Sequence, residues 1–404
     1  MLHLPFLEEA VKLVKSKKQV VGDGTDRLVS YITAMIFAFC AMIVAGKQLM
    51  GTAMTCFTPK HFKGDQSKYA LDYCYIQNTY VVAWQDADIA LNRGTHNYEK
   101  ISYYQWIALY YAFLAVLFYL PSHLWRNYSR NKQINLEHIV AKTSELRTEV
   151  PEERQKGLES ATSSVIEVIR ANRVAPCGSV RSFFRESCLF SLTMVYFTSK
   201  LVNIFIVVYT LFKVAQFLHD DDFVFSIHGI EALLTGTPWV DSPNFPRVTM
   251  CDVPIRDMGN VRKETFQCLL GMNYFSEKLF VIQWIWLTVV LIITLTNLAA
   301  YCHIFIPKAR SYRLKQWLRD PAVNSKISDD EIEKLLHLLG IDGYLALYFV
   351  DSYNGSKAAG EFADYIYKLE IVDNQNRKFL GAASHLGEDH SSPNNVSAPT
   401  RLHV

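Results

Sequence analysis

The chain has 404 residues, 50% of them hydrophobic and 13% aromatic, with a mean hydropathy of +0.06. A formal net charge of +2 excludes the broad basic surface that displaces counterions from phosphates, so no nucleic-acid partner is expected. The averages fit a soluble protein, but the apolar residues are gathered into blocks near the roughly 20 residues that match a bilayer's hydrocarbon core, and that clustering makes this a membrane protein.

Residues 1–27 carry Lys12, Lys15, Lys17 and Lys18 ahead of any apolar block and read as an N-terminal segment. No small-residue cleavage site follows the first block, so it reads as a retained span rather than a signal peptide. Gly22-Asp23-Gly24-Thr25-Asp26 has the look of a calcium loop but lacks the later bidentate Glu that such a loop requires. Span one is 28–50, and from Leu28 to Gly46 it contains no Asp, Glu, Lys or Arg. On it Ser30, Thr33, Phe37, Ala41, Val44 and Gln48 recur at helical spacing and include small or weakly polar side chains. Either they line water, or they let helices pack closely in lipid.

The loop 51–102 holds Cys56 and Cys74. Span two is 103–124, with Pro121 close to its end, where the proline kinks or terminates the helix. The loop 125–187 mixes Lys, Arg and Glu with periodic Leu, Val and Ile and is expected to be helical. Span three, 188–218, is interrupted by Lys200 and Lys213. Lys200 is costly against lipid, so it is expected to snorkel or pair between helices in preference to lining a pore. The loop 219–278 opens with Asp220, Asp221 and Asp222, read either as a cation-attracting cluster or as a solvated helix end, and holds Cys251 and Cys268.

Span four, 279–307, has no acidic residue, Lys or Arg, and Trp284 and Trp286 near its start suit the headgroup zone. In the region 308–379, Ser328 to Glu331 is a capping box opening a helix through Leu339, which Gly340 and Gly343 are expected to stop. The tail 380–404, rich in Ser, Asn, Pro, Gly and Ala, has too little apolar content to offset ordering entropy and is expected to be disordered. Leu402 and Val404 have the spacing of a ligand for a PDZ-type groove.

Lys and Arg near the span ends are concentrated beside the two termini and the 125–187 loop, which makes those segments cytoplasmic. The other two loops are then extracellular. Each holds two cysteines, a small even set suited to an oxidising compartment, and four cysteines allow three pairings. Cys40, Cys177, Cys188 and Cys302 read as ordinary thiols. Neither outer loop contains an Asn-x-Ser/Thr acceptor; the three sequons, at Asn127, Asn354 and Asn395, fall on the cytoplasmic side.

Local motifs narrow the class further. Tyr103-Tyr104-Gln105-Trp106 with Phe118-Tyr119-Leu120-Pro121, the run Phe245 to Asp252 followed by Gln267-Cys268, Asn273 and Glu277-Lys278, and Tyr73 to Tyr80 all resemble the innexin pattern. Departures from it, Tyr75 for Trp, Ala53 for Pro and Phe57 for Trp, cluster beside the loop cysteines and bear on partner choice more than on fold. The resemblance covers roughly residues 1 to 370. It implies an all-α membrane protein: a four-transmembrane-helix bundle with disulfide-braced extracellular loops and a helical cytoplasmic dome in which Tyr344 to Leu369 packs against the 125–187 loop. It implies bridges from Cys56 to Cys268 and from Cys74 to Cys251, and an N-terminal segment folded into the pore mouth that places Met1, Leu2, His3, Leu4 and Phe6 near the constriction. It further implies a plasma-membrane gap junction channel, an octameric ring formed alone or with other innexins, and head-to-head docking with a ring of the adjacent cell.

No glycine-rich phosphate loop, metal-ligand spacing or activated nucleophile occurs, so neither an enzyme nor a cofactor or metal is expected. The competing readings are a four-pass adhesion or scaffold protein, separated by dye or current permeability, and an undocked hemichannel releasing metabolites, separated by paired-cell conductance.

Overall fold

The computed structural model describes residues 22–81, 100–131, 135–144, 157–166, 191–218, 245–319, 323 and 327–369, apart from single positions at 52, 61, 63, 78 and 164. The chain is mostly helical and divides into two compact units, Gly22–Asn127 with Val195–Tyr301, and the remainder. The expectations for Met1 to Phe6, Cys177, Cys188, Asp220 to Asp222, the tail and Leu402 and Val404 lie outside the described residues.

In the first unit the long helices are α1 (Gly24–Met50), α3 (Ile107–Arg130), α5 (Leu192–Leu218) and α6 (Gly271–Tyr301), with the short α2 (Gly64–Gln77) between the first two. The last three residues of α3 and the first three of α5 belong to the second unit. These four are the membrane spans. Each is apolar on nearly every face: α3 buries Ile107, Tyr111, Leu114, Phe118, Pro121 and Trp125 at three- and four-residue steps and exposes Leu109, Phe113, Val116, Leu120 and Leu124 on the other side. A helix that is hydrophobic all round needs an apolar environment beyond its own fold. Phe37 of α1 packs edge-on against Phe118 at 5.3 Å and beside Tyr111 at 6.2 Å, joining spans one and two.

Two of these helices run beyond the expected span limits. Pro121 does not terminate the helix of span two, because α3 runs on through it to Arg130. The helix that carries span four starts before the expected span: at 31 residues α6 is about 46 Å long, well beyond the roughly 30 Å hydrocarbon core. Its first two turns bury Met272, Asn273, Ser276 and Glu277. Trp284 and Trp286 therefore lie mid-helix, where Trp284 is buried and the Trp286 indole donates to the Thr33 hydroxyl at 3.1 Å. Both thereby contribute to packing within the bundle.

The unit also contains a five-stranded antiparallel sheet in the order β1-β5-β4-β2-β3, made of β1 (Thr55–Phe57), β2 (Thr79–Tyr80), β3 (Lys100–Ile101), β4 (Val248–Asp257) and β5 (Asn260–Leu269). β4 and β5 form a long hairpin whose two-residue turn puts Met258 at φ 50°, a conformation glycine adopts more cheaply.

The second unit contains α4 (Leu136–Ser144), α7 (Pro307–Leu318), α8 (Asp329–Asn354) and α9 (Ser356–Tyr367). Ser328 caps α8 as expected, its backbone N–H donating to Glu331 at 3.0 Å. Gly340, at φ 64°, breaks the helix without stopping it, and a second segment continues to Asn354. Length and composition alone would let α8 cross a membrane as a fifth span. Its break, its acidic first turn and a buried face from Ile332 to Val350 packed against α4, α7 and α9 make it a core helix instead. α9 lies so close to α7 that a Cβ at Gly360 would meet the Trp317 carbonyl at 2.4 Å, so only glycine fits there.

Candidate functional site

The loop segments after span one are fastened to the β4–β5 hairpin twice. β1 pairs with β5 so that Cys56 lies opposite Cys268, and a disulfide joins the two. A second disulfide joins Cys74 of α2 to Cys251 of β4. The sulfurs of Cys56, Cys74 and Cys268 lie within 4.8 Å of one another, but bridged sulfurs offer no thiolate to a metal. The bridges span 212 and 177 residues, so each removes much freedom from the unfolded chain and leaves one braced body.

Residues of the Tyr-Tyr-Gln-Trp motif tie that body to the spans. α2 ends at Gln77, which leaves its last carbonyls without helical donors. The Tyr104 hydroxyl donates to the Tyr75 carbonyl at 3.1 Å, and the Gln105 amide donates to the carbonyls of Tyr75 and Ile76. In turn the Gln48 amide donates to the Tyr104 carbonyl at 2.8 Å, locking the end of span one to the motif. Tyr103 meets Phe217 and Phe245 edge-on at 5.2 and 5.6 Å, whereas Trp106 is exposed. The second-loop motif works the same way. The Asn273 amide donates to the Pro246 carbonyl at 2.9 Å, and buried Glu277 lies 3.9 Å from Arg247 and 3.8 Å from Lys278. These motifs are fasteners.

The other polar centre of this unit is at the start of span one. Lys200 is 4% exposed and its ammonium lies 3.2 Å from Asp23, 3.1 Å from Asp26 and 2.7 Å from the Asn297 amide oxygen. It also sits over the rings of Tyr196 and Tyr301 at 4.7 and 5.6 Å. Of the two alternatives expected for it, snorkelling and interhelical pairing, the second resolves its burial. The carboxylates that gave the calcium-loop look form a capping box at the N-terminus of α1, where the helix dipole also favours negative charge. Tyr196 donates a short hydrogen bond to Asp26. Spans one, three and four thus meet at one ammonium.

Just beyond this cluster, Leu28–Ile32 form a π-helical turn. The Thr33 hydroxyl donates back to the Leu28 carbonyl at 3.0 Å. Ser30 bonds Ser122 beside Pro121, so the π-helical turn of span one is tied to the proline-bearing turn of span two.

Ser30, Thr33, Phe37 and Val44 are all buried within a single chain, which favours close packing over water lining of the two alternatives. The small and weakly polar side chains serve close packing, and the face of α1 that a single chain leaves open is apolar, with Met35, Phe39 and Met42. Ala41 is half-buried, and Gln48, also half-buried, is engaged by Tyr104.

In the second unit, Asp342 caps span three from a distant segment. Its carboxylate accepts the backbone N–H groups of Leu192 and Thr193 at 3.1 and 3.0 Å and the hydroxyls of Ser191 and Thr193 at 2.6 and 2.7 Å. The break at Gly340 brings it there. No local pattern in the sequence announces this cap.

The innexin family model matches residues 22–369. Innexin-3 of Caenorhabditis elegans is 30% identical over 371 residues, covering 91% of this chain and 88% of that protein. Innexin unc-9 and Innexin-8 of the same organism are 27% and 28% identical, each covering 93% of this chain and 98% and 96% of their own lengths.

Proposed function

The chain belongs to the innexin family and is a gap junction channel subunit, and from that premise we propose that its disulfide-braced sheet is the extracellular rim that docks with a second channel. It is a multi-pass plasma-membrane protein that assembles into oligomeric channels with innexins. The observation carrying the docking proposal is the pair of bridges that joins the two outer loops through one sheet. Disulfides persist in oxidising compartments, so the bridged end belongs outside and both termini inside. A pre-organised rim also loses less entropy on meeting its counterpart than two separate loops would.

The sequons support the same sidedness. The Asn354 amide donates to the Val140 carbonyl at 2.9 Å and to the Thr143 hydroxyl at 2.7 Å, so the nitrogen that would carry a glycan is engaged within the fold. By family resemblance eight subunits form a ring, with Met1, Leu2, His3, Leu4 and Phe6 at its cytoplasmic mouth and ions and small solutes passing through. On this reading the chain is not an enzyme. Leu402 and Val404 are a candidate ligand for a PDZ-type protein.

Dual-electrode recording from paired cells, each expressing only this chain, is the test. Junctional current supports a homomeric docking channel. Surface delivery without junctional current overturns it.

A further inference from the structure

Helix α7 begins six positions after Tyr301, the last residue of span four, with the 3-10 turn Cys302–Phe305 between them. An extended chain covers at most about 20 Å over that distance, so α7 starts within reach of the membrane surface. From Lys308 to Arg319 the sequence has Lys308, Arg310, Arg313, Lys315 and Arg319 and no Asp or Glu.

The helix buries Leu314, Trp317 and Leu318. Lys308, Tyr312, Lys315 and Arg319, at steps of four, three and four, share the opposite face. Tyr312 is 72% exposed, and exposed Ile306 precedes the helix. Arg313 turns away to Asp351 at 3.3 Å. Lys315 and Arg319 lie 3.0 and 3.5 Å from one carboxylate, that of exposed Asp329, so two cations share a single negative charge. Among the described residues no carboxylate pairs with Lys308. The face therefore keeps a surplus of positive charge around an exposed tyrosine.

We propose that α7 is a docking surface for anionic phospholipid headgroups in the leaflet at its end of span four. Lys308, Lys315 and Arg319 meet the headgroup anions, while Tyr312 and Ile306 enter the interfacial layer. An aromatic ring with a polar tip suits that layer, and basic segments beside a span are attracted to anionic lipid. The tether decides between lipid and a soluble acidic partner: it holds the helix where anionic headgroups are concentrated. The proposal rests on the reading that the termini are cytoplasmic, the side on which anionic lipids are enriched.

The test uses the full-length channel, delipidated in detergent and titrated with phosphatidylserine or phosphatidylcholine, with bound lipid counted by native mass spectrometry. Phosphatidylserine is expected to be preferred, and increasingly so at low salt. The variant K308Q/K315Q/R319Q is expected to weaken its binding on the order of 100-fold at low salt, from about fivefold per cation. K308E, at an exposed position without a partner, weakens it without endangering the fold. Equal phosphatidylserine binding by wild type and both variants overturns the proposal, as does equal competition by inorganic phosphate. Maleimide labelling of E333C on intact cells, above the background of the native cysteines, separately tests the sidedness: labelling from outside sinks that reading, and micellar lipid binding is unaffected by it.

Discussion

Replacing Lys200 by Met keeps a long apolar stem and removes the ammonium shared by Asp23, Asp26 and Asn297. Two carboxylates then face each other without a cation in a largely buried site. Removing one partner of a buried pair costs about 3–5 kcal/mol. Asp26 is 14% exposed and keeps some contact with water, which favours the lower end, about 3 kcal/mol. At roughly 2–4 °C per kcal/mol, the thermal midpoint falls by roughly 6–12 °C. Fluorescence-detected size-exclusion of heated, detergent-solubilised channel measures this. The same substitution combined with Asp23→Asn and Asp26→Asn removes the stranded charges and retains a good N-cap, since Asn caps as well as Asp. That triple variant is expected to recover to within about 1.5 kcal/mol of wild type, as neutral replacement of buried charge networks commonly does. An unchanged midpoint for Lys200→Met, or a triple variant no better than the single one, would refute the assignment of Lys200 as the counter-ion of span one.

Three further outcomes follow from separate contacts. Replacing Cys56 and Cys268 together by Ser reopens a 212-residue loop, an entropic loss of at most about 5 kcal/mol, and junctional conductance in paired cells is expected to disappear while membrane insertion, assayed by surface labelling, persists. Asp342→Ala strands the N–H groups of Leu192 and Thr193, and hydrogen exchange at those two amides is expected to speed up by the factor that about 1–2 kcal/mol allows; unchanged protection would remove the cap assignment. Glu331 is held below its ordinary value chiefly by the hydrogen bond from the Ser328 backbone. A depressed carboxyl stabilises the fold above its unfolded value and loses that contribution as pH falls through the folded one, so exchange at the start of α8 is expected to rise on acidification below about 4.3 and to lose this step in Glu331→Gln.

The four spans are legible in the sequence because a lipid-facing helix must be apolar at every position, a signal that survives without any knowledge of partners. The cysteine pairing is legible through likeness to a family. The β4–β5 hairpin is not: its inward positions, Thr249, Cys251 and Val253, make a weak alternation, and Pro254 argues against a strand. The structure accommodates the proline because β2 pairs with β4 only at Met250, so beyond that point no neighbour among the described residues needs its missing donor. The Lys200 partners are hidden for another reason. Asp23 and Asp26 lie 177 and 174 positions away, and chain spacing carries no trace of a contact made between spans. The role of the small polar residues of span one is not legible either, because such side chains suit both water and tight packing, and only burial separates the two.

The seam between Thr55–Phe57 and Gln267–Leu269 joins the end of α1 to the beginning of α6 through strand pairing and a covalent bond. A rod pinned at one end moves by pivoting. With 27 residues α1 is about 40 Å long, so each degree of tilt at the seam sweeps its opposite tip by about 0.7 Å. The fixed pivot thus converts slight angular play into ångström-scale displacement near Gly24.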